Sequence, residues 1–120
     1  MAWGSKTNAT QLTSITTIQY FTTTPTLNPG ETLHCEVEAN PPVTPTDDLL
    51  VHVYGTLDAS SENWDDTPLM SFRIDKDTDP NKASFSISGL YKFRIGVVRD
   101  GSTDTYASAD FSYRADGVSL

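Results

Sequence analysis

Between positions 84 and 98 polar and apolar residues alternate in two runs. Phe85 and Ile87 stand between serines, Gly89 and Leu90 interrupt, and then Tyr91, Phe93, Ile95 and Val97 point one way while Lys92, Arg94 and Gly96 point the other. Period-two alternation of aromatic and β-branched residues creates one buried and one solvated face, which favours strands over helix. The pattern recurs along the chain. Leu33, Cys35 and Val37 alternate with His34, Glu36 and Glu38; Met70, Phe72 and Ile74 alternate with Ser71 and Arg73. Over 49–57 either Leu49, Val51 and Val53 or Leu50, His52 and Tyr54 face inward, and the first set is preferred because it is purely apolar. Over 105–114 the reading places Ala107, Ala109, Phe111 and Tyr113 inward, with Ser108, Asp110 and Ser112 outward. Residues 15–24 form a first strand of imperfect alternation, ended by Pro25.

The segments between these runs carry turn chemistry. Pro29 presets φ and Gly30 accepts a positive φ, so 27–31 reads as a type II turn. Pro41, Pro42 and Pro45 make a stiff connection that cannot donate ladder hydrogen bonds and should cross between sheets. Asp100-Gly101 is a tight-hairpin pair, which predicts that the strands on either side pair antiparallel. The loop over 58–67 sets Trp64 among Asp58, Glu62, Asp65 and Asp66, and reads as a lid folded onto the core, with an exposed recognition residue as the alternative. The resulting domain plan is an extended N-terminal arm over 1–12, a sandwich domain over 13–115 and a short tail over 116–120. Trp3, the large apolar residue of the arm, either covers the domain's own edge or anchors the arm in a neighbouring molecule.

Composition narrows the function classes. A chain of 120 residues fits one domain, and its 37% hydrophobic content suits strands that bury one face each. Sixteen acidic against eight basic residues give a net charge of -8, which repels nucleic-acid phosphates and anionic membranes, so neither is an expected partner. Cys35 is the single cysteine, so no intramolecular disulfide forms, and it reads as a buried structural thiol. No apolar run matches a signal-peptide core or a membrane span, which predicts folding in a cytosol. Asn8-Ala9-Thr10 matches a glycosylation acceptor and, without a secretory route, reads as chance.

Chemistry-bearing constellations are sparse. His34 and His52 sit at outward strand positions and no nucleophile elbow occurs, so no catalytic residue and no cofactor is assigned. Asp75, Asp77 and Asp79 alternate like the start of a calcium loop, but Pro80 stands where the sharp turn needs glycine and Ser86 where a bidentate Glu would close the shell. A solvated turn is therefore preferred there. Outward Thr and Ser positions make hydrogen-bonding sheet surfaces suited to packing against neighbours.

Seven strand-like segments with turns between them predict an all-β fold, a single antiparallel β-sandwich of about seven to eight strands. The run Gly89, Tyr91, Phe93 resembles the Gly, Tyr, Cys spacing that opens the penultimate strand of many immunoglobulin-like domains, and the order of signals over 13–114 resembles the immunoglobulin and fibronectin type III sandwich. That resemblance implies Tyr91 as a tyrosine-corner residue, Cys35 at half of the usual inter-sheet disulfide and Phe93 in place of its partner. An eight-stranded jelly-roll is the competing topology. In overall style the chain is similar to small β proteins of tailed-phage virions. The similarity implies a non-enzymatic capsid decoration (cement) protein, located in the virion, that binds the major capsid protein or another virion protein. It would form a homo-oligomer, with a trimer favoured, and use Trp3, Leu12 and Trp64 as partner contacts. The alternatives are a tail, collar or fibre component, a carbohydrate-binding module stacking sugars on Trp64 with Tyr54 or Tyr106, and a calcium-dependent adhesion domain.

Overall fold

The computed structural model describes residues 6–9, 11–57 and 64–115, and these form two antiparallel sheets. In chain order the strands are β1 (Thr7–Asn8), β2 (Leu12–Ile15), β3 (Gln19–Tyr20), β4 (Leu33–Asn40), β5 (Asp48–Thr56), β6 (Met70–Ile74), β7 (Lys82–Ile87), β8 (Lys92–Asp100) and β9 (Tyr106–Ala115). One sheet runs β1-β9-β4-β7, with β2 also on β9; the other runs β3-β8-β5-β6. From β2 onward only β5 and β6 are both consecutive and paired, and every other step crosses between sheets. That is the strand order of a jelly-roll, β2-β9-β4-β7 over β3-β8-β5-β6.

This order corrects the hairpin expected at Asp100-Gly101. β8 pairs with β3 and β5, whereas β9 pairs with β4, β2 and β1. The immunoglobulin arrangement keeps its last two strands in one sheet, so the sandwich takes the competing topology instead. The proline-rich connection after β4 does cross between sheets. The single strand expected over 15–24 is two short pieces, β2 and β3, in opposite sheets. Its imperfect alternation reflects that crossing. The sandwich also begins earlier than expected, because Thr7 and Asn8 pair with Tyr113 and Ser112 and Leu12 pairs with Ala109.

Core phases follow the alternation closely. Leu33, Cys35 and Val37 on β4 are buried across from Leu49, Val51 and Val53 on β5 and Phe93, Ile95 and Val97 on β8. Fully burying such side chains is worth about 1.5–3 kcal/mol each. Cys35 and Phe93 both face the core from opposite sheets. The alternation expected for β9 holds from Ala109 onward but not before it. Tyr106 is buried and Ala107 exposed, and the matching break on β2 places Leu12 opposite Ala109 and Ile15 opposite Tyr106, with Ser14 between at φ 51°. The turn at 28–31 closes through Glu31 N–H to Asn28 O at 2.9 Å, with Gly30 at φ 77°.

The crossing from β8 to β9 is held by two buried carboxylates. Asp47 Oδ2 accepts from Thr103 N (2.9 Å) and Asp104 N (2.8 Å), while Asp104 Oδ2 accepts from Thr46 N and Asp47 N (both 2.8 Å). Arg99 Nη1 donates to Asp104 O, and the Tyr106 hydroxyl donates to Asp47 O. Donation from Asp47 N leads the contacts that hold the Asp104 carboxyl below the usual carboxylate range, and donation from Lys76 N, then Arg73, does the same for Asp48. Both folded-state values lie below the unfolded ones. The stabilisation is therefore complete above the unfolded carboxylate value of about 3.9 and lost as pH falls through the folded values. Thermal melts should be level between about pH 5 and 7 and fall steeply below about pH 4; a melting temperature unchanged at about pH 3 would show that neither carboxylate is linked to folding.

Candidate functional site

The two outer faces of the sandwich differ in chemistry. On the β9-β4-β7 sheet, cross-strand rows join His34 to Ser86 and Arg114, Glu36 to Ser84 and Ser112, and Glu38 to Lys82 and Asp110. This is a hydroxyl and carboxylate surface. The other sheet presents Tyr20 opposite Gly96, then His52, then Ser71, with Arg94 opposite Tyr54 in the adjacent row.

Aromatic groups converge on Arg94. Its guanidinium carbon lies 4.0 Å from the Tyr20 ring centroid, 5.5 Å from that of Tyr54 and 5.3 Å from that of Trp64. Tyr20 and Tyr54 meet edge to face at 5.8 Å, and His52 lies 6.4 Å beyond Tyr54 while sharing a 2.7 Å hydrogen bond with Ser71 Oγ. Gly96 makes room for this arrangement, since a Cβ there would meet Tyr20 Cε1 at 2.9 Å and Ile18 Cδ1 at 3.3 Å. Burial, followed by the neighbouring Tyr20, pushes the Tyr54 hydroxyl above its ordinary value. Trp64 reaches the cluster because its loop is tied to β5, with Asp65 N donating to Gly55 O and Leu69 N to Val53 O. Among the described residues Arg94 has no carboxylate within ion-pair range, and its Nε is buried without a hydrogen-bond partner. Arg73, on the same sheet, is paired with Asp48 and Asp100.

The residues singled out from sequence separate in space. Trp3 lies outside the described residues. Leu12 is half-buried and packs against the core, so its apolar side chain is used within the domain. Trp64 is half-buried on an outer sheet face, which corrects the lid over the core. Trp64 and Tyr54 both lie against Arg94 there, whereas Tyr106 is fully buried and offers no stacking platform. Asp75, Asp77 and Asp79 do not converge on a metal: Asp75 Oδ1 accepts from Asp77 N, Asp77 pairs with Lys76, and no cluster of ligating residues able to hold a metal occurs among the described residues. Cys35 is buried, and burial pushes its thiol up to about 12, so it is an inert core group.

Tyr20 and Arg94 were not singled out from sequence. The outward phase of Arg94 was legible, but its ring neighbours come from β3, β5 and the loop before β6, and only the fold assembles them.

No family model matches this sequence, and no curated protein matches it. Among solved structures, a chain of the disulfide-linked pili that form Bacillus endospore appendages has a similar fold, with a TM-score of 0.54, 9% identity, and coverage of 99% of this chain and 93% of that one. At that identity the likeness is one of fold. Disulfide linkage does not transfer with it, because the only cysteine here is the buried Cys35.

Proposed function

We propose that this protein is a non-enzymatic structural component of a virus particle, a capsid decoration protein that binds the shell and adds buried area to it. The observation that carries this reading is a flank built from two strand edges. β6 and β7 each end their sheet, so among the described residues each is paired on one side only. They run along the same flank, bridged by Phe72 and Phe85 stacked at 4.7 Å and 18°. Unpaired edges of this length invite another chain, and a lattice of neighbours is one way to cover them. The jelly-roll recurs in viral capsid and lectin domains, which supports the reading by analogy of fold. In it, copies associate around a local symmetry axis as a closed oligomer, a trimer first, and contact the major capsid protein.

Antibody raised against the purified chain and used for gold labelling of particles tests this. Label over heads supports decoration, label on tails or fibres moves the protein there, and unlabelled particles overturn the reading. The flank has its own test. Ser84 is exposed on β7, and Ser84→Lys adds a charge to the edge. Light scattering should show a shift towards monomer, with stability changed by less than about 0.5 kcal/mol.

A further inference from the structure

We propose that the Arg94 cluster is a binding site for a carboxylated saccharide of the uronic-acid type. The site lies on the outer face of the β3-β8-β5-β6 sheet, away from the β9-β4-β7 outer face, and the inference goes beyond the particle role without depending on it.

Charge singles out Arg94. In a chain with twice as many acidic as basic residues, Arg94 lacks a carboxylate partner among the described residues, while Arg73 on the same sheet has two. Three aromatic rings surround its guanidinium instead. Packing against rings displaces water from the guanidinium, so a carboxylate that bonds to it replaces fewer hydration contacts and takes the bidentate geometry that arginine favours. The net charge of -8 does not forbid an anionic ligand, because at physiological salt a charge is screened over about 8 Å.

The surroundings select a sugar. Trp64 and Tyr20 are half-buried rings on which the C–H face of a pyranose stacks, and His52 and Ser71 on neighbouring outward positions supply hydroxyl-compatible partners. A protein partner would call for a broader apolar contact. Among the described residues the exposed large hydrophobics are Ile18, Val43, Leu57 and Leu69, and of these Ile18 packs beside Gly96 and Tyr20.

The test is an amide NMR titration of the intact chain with trigalacturonate, alongside a neutral galactose trisaccharide and a Glu-rich peptide. Binding in the millimolar range, weakened by salt and much tighter than that of the neutral sugar, should move the amides of Arg94, Gly96, Tyr54 and His52. Arg94→Gln should weaken it about tenfold or more, and Arg94→Lys by less, since the charge stays and the fork is lost. A thermal melt of each variant separates lost binding from lost folding; should Arg94→Gln unfold, Arg94→Lys carries the comparison. No shifts at saturating trigalacturonate, equal affinity for the neutral sugar, shifts elsewhere on the domain, unchanged binding in a folded Arg94 variant, or tighter binding of the peptide would each overturn the assignment.

Discussion

Asp47→Ala is expected to lower the unfolding free energy by about 3 kcal/mol, which for a domain of this size is a fall in melting temperature of roughly 10 °C or more. The substitution removes the carboxylate that accepts from Thr103 N and Asp104 N, leaving two donors at a buried crossing without acceptors. Each such orphaned group costs about 1–3 kcal/mol. Gly101 ties the same corner from the other side: its φ is 144°, and a Cβ there would stand 2.3 Å from Asp47 Oδ1. Asp47→Asn keeps one side-chain oxygen as acceptor and should cost less than the alanine variant. Amide exchange gives the local readout, with Thr103 and Asp104 losing protection first. A melting temperature within about 2 °C of the parent would show that the two carboxylates do not hold this crossing.

The second large effect is expected in the core. Phe111 on β9 lies 5.5 Å from Phe21, 6.3 Å from Phe93 and 5.3 Å from Tyr113, so one ring joins β9 to the partner sheet through β8 and the segment after β3. Phe111→Ala deletes a buried ring contacted from both sheets and should cost about 3–5 kcal/mol, as transfer and cavity terms add. Chemical denaturation checks it, through a lower midpoint with an unchanged slope if the native state is destabilised and the denatured state unaltered. Phe111→Leu refills part of the volume and should recover about half of the loss. Equal effects of the two substitutions would mean that the site collapses around whatever occupies it.

Both effects depend on contacts between residues far apart in the chain, and so does most of what the alternation left open. Period-two patterning placed Leu33, Cys35 and Val37, Leu49, Val51 and Val53, and Phe93, Ile95 and Val97 on the buried face, because the direction of a side chain along a strand is a local property of the backbone. The Pro29-Gly30 turn was legible for the same reason, since its geometry resides in adjacent residues. The Asp100-Gly101 pair misled. Turn propensity there is real, but the next strand is drawn to the opposite sheet by eight-residue pairing with β4 and by the Asp47 and Asp104 carboxylates.

The candidate site shows the same division. Arg94 could be placed on the outer face from its own strand, yet Tyr20 came from a segment whose alternation breaks where the chain changes sheets, and Trp64 from a polar loop with no period at all. The sequence by itself determined an acidic, disulfide-free, all-β chain and the inward phase of most of its strands, because charge, cysteine count and side-chain alternation are properties of composition and neighbouring residues. The tertiary structure alone decided the jelly-roll order, the reciprocal carboxylates and the rings around Arg94, because strand partners are chosen by long-range pairing and burial across two sheets, which no local period encodes.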